Sequence, residues 1–161
     1  MNSRRKVLPL LAVLVAFSLS AGCAENPGAA AIAGGGKNTE EASEMYVTVT
    51  GNKLKITPAH NSSVKALVAI LKTDDITYTA DDYGDFEKVG NIGHSLPRND
   101  ESITTQAGDV ILYQGNSICL YYGTNSWNFT RIGKIEGYSA DELCSLLGAG
   151  KGEVKVTLSL Q

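Results

Sequence analysis

Gly108-Asp109-Val110-Ile111-Leu112-Tyr113-Gln114-Gly115-Asn116-Ser117-Ile118-Cys119-Leu120-Tyr121-Tyr122 is the stretch that decides the fold class. Two runs rich in β-branched and aromatic residues flank Gln114-Gly115-Asn116, and the glycine there supplies the backbone freedom a tight reversal needs. Each run is apolar almost throughout and does not alternate. Strands of that kind are covered on both faces. The stretch therefore predicts a hairpin buried on both sides.

Working outward, Tyr46-Val47-Thr48-Val49-Thr50 alternates, Gly51-Asn52 turns, and Lys53-Leu54-Lys55-Ile56 alternates again, which predicts another hairpin. Near the C-terminus Val154, Val156, Leu158 and Leu160 alternate with Lys155, Thr157 and Ser159, the pattern of a strand with one buried face. Ile76-Thr77-Tyr78-Thr79 and Thr130-Arg131-Ile132-Gly133-Lys134-Ile135 are further strand candidates. Two helices interrupt. Residues 62–72 place Val64, Leu67, Val68 and Leu71 on one helical face behind the capping candidates Asn61-Ser62-Ser63. Ser139 and Glu142 have the spacing of a capping box before a helix over 140–147, and Gly148 stops it. The fold class is mainly β. Six to eight strands with two short helices predict a closed barrel whose openings the helices cover, because closure removes exposed strand edges.

The composition, 43% apolar and 19% charged over 161 residues, is that of one globular domain. Of 14 basic residues, Arg4, Arg5 and Lys6 sit at the start, so the remaining 11 face 17 acidic ones. No basic face is left to neutralise phosphates, which excludes a nucleic-acid partner. The three basic residues precede an apolar run of 13 residues, Val7 to Leu19, and then Ser20-Ala21-Gly22, the layout of a secretory signal. A membrane-spanning helix needs about 20 apolar residues. Leu19-Ser20-Ala21-Gly22-Cys23 resembles the bacterial lipobox, with Ser20 where leucine is usual. The resemblance implies a signal peptide over 1–22, diacylglycerol on Cys23, a Gly/Ala-rich tether over 23–44 and a folded domain over 45–161. The chain is then expected in the cell envelope, held to the bilayer through Cys23 on the extracytoplasmic side. The alternative is ordinary secretion with a free Cys23.

Gly108–Asn116, Tyr121-Tyr122-Gly123-Thr124-Asn125-Ser126-Trp127 and Thr130–Ile135 together resemble the bacterial cyclophilin-like domain family. Asp82-Tyr83-Gly84-Asp85-Phe86-Glu87-Lys88-Val89-Gly90, Ser95-Leu96-Pro97 and Leu147-Gly148-Ala149-Gly150 fit the same pattern. The resemblance covers 45–161 and implies a closed eight-stranded barrel with two short helices. Its members occur as lipoproteins and beside flavodoxin-like proteins, which makes an envelope protein a further candidate partner.

Prolyl isomerisation needs an apolar slot and a fixed donor aimed at the amide nitrogen, because amide resonance sets a barrier near ~18–20 kcal/mol. True cyclophilins supply these with a phenylalanine–histidine–arginine segment that this chain lacks, and beyond residue 5 its only arginines are Arg98 and Arg131. The expected function is a non-catalytic binding module for a peptide or small ligand; the alternative is a prolyl isomerase for exported chains. The ligand-binding candidates are Arg131, Trp127, Gln114, Tyr113, Phe86 and His94. Arg131 is either a guanidinium at the slot or a strand arginine paired with an acidic neighbour. Trp127, in the polar stretch Thr124–Asn128, is either a contact residue or a lid. His94 is a candidate groove residue, while His60 is expected to cap a helix or lie on the surface. Two histidines without a cysteine pair make no zinc site, Asp81–Asp85 lacks calcium-loop spacing and reads as a solvated loop, and no cofactor motif is present. Cys119 and Cys144 are either bridged or buried as free thiols.

Overall fold

The computed structural model describes residues 44–161. The signal segment, Cys23 and the tether through residue 43 lie outside the described residues. In chain order the elements are β1 (Met45–Val49), β2 (Asn52–Pro58), α1 (Ser62–Leu71), β3 (Ile76–Tyr83), β4 (Glu87–Asn91), β5 (Glu101–Thr104), β6 (Asp109–Tyr113), β7 (Ser117–Tyr121), β8 (Ser126–Ile135), α2 (Ala140–Leu147) and β9 (Val154–Leu160).

Eight strands close in the order β2-β1-β9-β3-β4-β7-β6-β8, and β8 pairs back onto β2. Every pairing is antiparallel, and closure runs through Ile56↔Ile135, Thr57↔Lys134 and Pro58↔Gly133. Close approach at that seam needs a glycine, since a Cβ on Gly133 would come within 2.5 Å of the Thr57 carbonyl oxygen. Alternating residues fill the interior: Val47, Leu54, Val110, Leu112, Ile118, Leu120, Ile132, Val156 and Leu158 are buried with Leu67 of α1 and Leu143 of α2. The helices are built as their signals predict. Asn61 accepts from the Val64 amide at 2.9 Å and donates to the Arg131 carbonyl at 2.7 Å, which fixes α1 to β8. Ser139 and Glu142 make the reciprocal capping box, and Gly148 ends α2 in the left-handed conformation.

The first hairpin departs from the sequence reading by one residue. Its turn is Thr50-Gly51, at φ 48° and 84°, and Asn52 faces Val49 as the first residue of β2. Two central residues at positive φ match the twist of the flanking strands. A β-branched residue is rare there, but Thr50 Oγ1 donates to the Leu146 carbonyl at 2.6 Å, a contact from a remote part of the chain.

β6 and β7 are buried on both faces, as their continuous apolar runs predict. Val110, Leu112, Ile118 and Leu120 point into the barrel. Ile111, Cys119 and Tyr121 form a second cluster with Ile103 and Phe129. That outer cover comes from a ribbon. The first half of β8, Ser126–Phe129, pairs with β5 and not with the barrel, whereas residues 130–135 pair with β6 and β2. The ribbon packs Ile103 and Phe129 against the outer wall, and Thr105 closes it by exchanging hydrogen bonds with the Asn125 backbone.

Candidate functional site

The outer wall carries a chain of aromatic rings. Tyr83 meets Phe86 edge-on at 5.9 Å, Phe86 stacks on Tyr121 at 6.0 Å and 5°, Tyr121 meets Phe129 at 6.1 Å, and Phe129 meets Tyr113 at 6.2 Å. These are the separations at which offset and edge-to-face pairs attract. They follow from strand periodicity: Tyr83↔Glu87 and Glu87↔Tyr121 are cross-strand pairs and so share the outer face. Phe86 is held in place by its neighbours. Its carbonyl accepts from the Tyr122 and Gly123 amides at 2.9 Å, and a Cβ on Gly123 would lie 2.7 Å from its own.

Inside this belt sits a carboxyl. Glu87 is 6% exposed; its carboxyl and the Tyr121 hydroxyl face each other as hydrogen-bonding neighbours, although among the described residues neither Oε2 nor the hydroxyl makes a bond of ordinary length and angle. Burial pushes the Glu87 carboxyl up, as it does the Tyr121 hydroxyl and the Cys119 thiol. Desolvation thus drives all three toward their uncharged forms. The next residue, Lys88, shares the inner face with Leu120 and is fully buried. Its Nζ reaches Asp82 at 2.8 Å and the Gly152 carbonyl at 2.6 Å.

Five of the six sequence candidates gather around this wall. Phe86 and Tyr113 pack on the second cluster. Gln114 Nε2 donates to the Tyr113 hydroxyl at 3.0 Å from the hairpin tip. Trp127 is not in a polar loop: it lies in the ribbon half of β8, opposite Ile103. It is 63% exposed, so Ile103 and Phe129, not the indole, cover the wall. Arg131 is paired with an acid: its guanidinium reaches Asp109 at 2.7 Å. Asp109 is 3% exposed and also takes Lys134 at 3.1 Å. Arg98 is likewise engaged by Asp100. His94 stands apart from the belt and lines a different hollow with Ala69, Ile70, Thr73, Asp74, Asp75 and Ile76. His60 is exposed beside the capping Asn61.

Other expectations change in detail. Asp81 and Asp82 belong to β3, and Asp82 is a tertiary anchor and not part of a solvated loop. Among the described residues Cys119 and Cys144 are both free, Cys119 buried in the outer cluster and Cys144 half-buried against the barrel core. Among the described residues no group of three or more histidine, cysteine or acidic side chains is placed to hold a metal ion.

The aromatic belt, the cover ribbon and the closed barrel can be set beside known proteins. The solution structure of the hypothetical protein AF2241 from Archaeoglobus fulgidus is similar, with a TM-score of 0.54 and 17% identity over 74% of this chain and 95% of that one. The structure of McbB in complex with tryptophan is similar at a TM-score of 0.52 and 15% identity, over 71% of this chain and 44% of that one. Identities this low speak for the fold alone. No protein with a curated description matches the sequence. The model of the cyclophilin-like family matches residues 47–159, nearly the whole barrel from the first strand to the last, and the chain belongs to that family.

Proposed function

We propose that the protein is a membrane-anchored binding module whose outer wall takes a short extended peptide. The observation that carries this reading is Trp127, 63% exposed on a paired strand beside the aromatic belt. An indole fixed on a strand offers large contact area with little side-chain entropy left to lose, which is why tryptophan is enriched at binding hot spots. A peptide is favoured over a compact ligand because, among the described residues, β5 is an edge strand paired on one side only. Such an edge offers free backbone donors and acceptors to an added strand. Catalysis of prolyl isomerisation has no support from the two arginines, since aspartates engage both.

Trp127 is the only tryptophan of the chain, so its emission reports on the wall directly. Titration with capped hexapeptides of alternating valine and threonine is expected to shift that emission to the blue. Trp127→Ala is expected to weaken the same binding, followed by calorimetry, by about 1–3 kcal/mol while leaving the melting midpoint unchanged. No spectral shift at millimolar peptide, in any of a panel of sequences, would sink the reading. Arg131→Ala is a poorer probe, because it strips a partner from the buried Asp109.

Anchoring rests on the lipobox-like segment ending at Cys23. An acyl chain contributes about 0.8 kcal/mol per buried CH₂, so the diacyl-plus-N-acyl anchor of a lipoprotein holds far more firmly than a single chain. Cys23→Ala is expected to move the protein out of the membrane fraction or to leave its signal uncleaved. A variant that stays in the membrane fraction at the normal processed mass would refute anchoring.

A further inference from the structure

The backbone of β5 alternates between its two sides. The Thr105 amide donates to the Asn125 carbonyl at 2.7 Å, in the same register as Ile103↔Trp127 and Glu101↔Phe129 of the ribbon. Opposed residues of an antiparallel pair alternate between those that exchange hydrogen bonds and those that turn their backbone groups away. Thr105, Ile103 and Glu101 therefore turn theirs toward β8, and Ser102 and Thr104 turn theirs to the free edge. Among the described residues no backbone hydrogen bond from outside the ribbon reaches Ser102 or Thr104. A strand added there bonds to those two residues. Its own residues across from Glu101 and Ile103 then take the non-bonded positions, where Cα atoms approach to about 4.5 Å and side chains lie closest. The two positions differ in character. Ile103 is buried in the outer cluster and shares a row with the exposed Trp127. Glu101 is exposed and shares a row with Phe129. Among the described residues Glu101 forms no ion pair, and its neighbour in sequence, Arg98, is taken by Asp100.

A charge on an edge strand discourages apolar strands from joining it. It favours one that brings the opposite charge directly across, since opposed unlike charges attract and like charges repel. We propose that the free edge of β5 takes a peptide that sets an aliphatic residue against Ile103 and, two residues further on, a lysine or arginine against Glu101. The strand period of two fixes that spacing. Antiparallel pairing fixes the order, aliphatic residue first, and is favoured because its bonds run straight across the edge while parallel ones slant and hold less well. Ser102 and Thr104 supply the backbone bonds. The aliphatic side chain joins the row of Ile103 and Trp127 and extends the cover that Ile103 and Phe129 give the wall. The basic side chain gives Glu101 a partner that the fold does not.

The register rests on the outer-wall reading above, and the test separates the two. The probes are three capped hexapeptides, threonine–valine–threonine–X–threonine–threonine, with X lysine, norleucine or glutamate. The protein is used as purified from its host, and Trp127 emission and calorimetry report binding. The lysine peptide is expected to bind about tenfold tighter than the glutamate peptide in dilute buffer, the sum of one cross-strand attraction and one repulsion, with norleucine between them. At about 1 M salt, where the screening length falls to about 3 Å, the difference is expected to shrink to less than about twofold. Moving the lysine one position turns it to the other face and is expected to remove its advantage. Glu101→Gln is expected to abolish the preference for lysine over glutamate with the melting midpoint unchanged. Ser102→Pro removes an amide that faces the free edge, the setting in which a strand accepts proline. It is expected to keep the fold and to weaken all three peptides by more than about tenfold, the loss of a backbone bond at a blocked edge. Binding without charge preference, a preference that survives Glu101→Gln, or undiminished binding by a folded Ser102→Pro each overturns the β5 register and leaves the wall reading to Trp127→Ala. Dimerisation of the protein alone in sedimentation equilibrium, lost in Ser102→Pro, gives the edge to a second copy and also overturns it. If Ser102→Pro does not fold, Glu101→Gln and the shifted lysine decide. Failure of all the peptides to bind overturns both readings.

Discussion

Asp82→Ala is expected to cost the barrel about 3–5 kcal/mol, the usual loss when one partner of a buried ion pair is removed. Lys88 is the reason. Its side chain is fully buried, while that of Asp82 is 19% exposed. Without the carboxylate, the ammonium faces only the Gly152 carbonyl. Asp82 also does more than neutralise Lys88. Its Oδ1 accepts from the Tyr122 hydroxyl at 2.9 Å, and its Oδ2 accepts from the Gly152 amide at 3.0 Å. One carboxylate thus joins the end of β3, the start of β4, the exit of β7 and the glycine-rich turn before β9. Urea unfolding monitored by circular dichroism gives the number. A loss below about 1 kcal/mol would mean that Lys88 escapes to solvent and that the clamp contributes little.

The same residue sets an acid limit. Burial alone would raise the Asp82 carboxyl, but the hydrogen bonds from Lys88, Tyr122 and the backbone outweigh it and hold the carboxyl below the ordinary range. A carboxyl depressed in the folded state contributes stability in full above its unfolded value, about 3.9, and that contribution is lost as pH falls through the folded value. Glu87 has the opposite sign. Its carboxyl is raised, so its contribution is full below the unfolded value of about 4.3 and is lost as pH rises through the folded one. Asp82→Ala should therefore remove part of the acid-side loss, measured as the slope of stability against pH below about pH 4.

Much of the barrel is legible where local pattern and tertiary environment agree. The unbroken apolar runs around Gln114-Gly115-Asn116 announce burial on two faces, and those faces prove to be the barrel interior and the ribbon-covered wall. The caps of both helices are local devices, so they too are visible in sequence. β4 is harder to see because Glu87-Lys88-Val89-Gly90-Asn91 carries two charges in five residues. Its burial depends on Asp82, Gly152 and Tyr121, none of which a window of neighbours contains. β5 has one large apolar residue, Ile103, and is a strand through its pairing with β8. Trp127 did carry a signal. Ser126-Trp127-Asn128-Phe129 alternates polar and aromatic residues, the mark of a strand with two different faces. Arg131 finds Asp109 only because the β6–β8 register brings together residues far apart in the chain. Glu87 stands out as a site residue only once Tyr121 and Tyr83 are known to flank it.

The ring that unites these observations is Tyr121, where two substitutions should diverge. Tyr121→Ala is expected to cost about 3–5 kcal/mol, the range for deleting a large buried aromatic side chain. Tyr121 is fully buried and is the shared partner of Phe86 and Phe129. Its deletion opens a cavity between the barrel wall and the ribbon, and neither side can collapse easily. Gly123 locks Phe86 from one side, and Phe129 is fixed by strand pairing with Glu101. Tyr121→Phe keeps the ring and removes a hydroxyl that faces Glu87 but makes no hydrogen bond of ordinary geometry among the described residues. Removing an unsatisfied buried polar atom returns its desolvation penalty, so this variant should be as stable as the wild type or more stable by up to about 1–3 kcal/mol. Chemical denaturation of the two variants side by side is the measurement. A clear loss of stability in Tyr121→Phe would show that the hydroxyl is satisfied within the folded protein. It would then be a structural group that holds Glu87 in place.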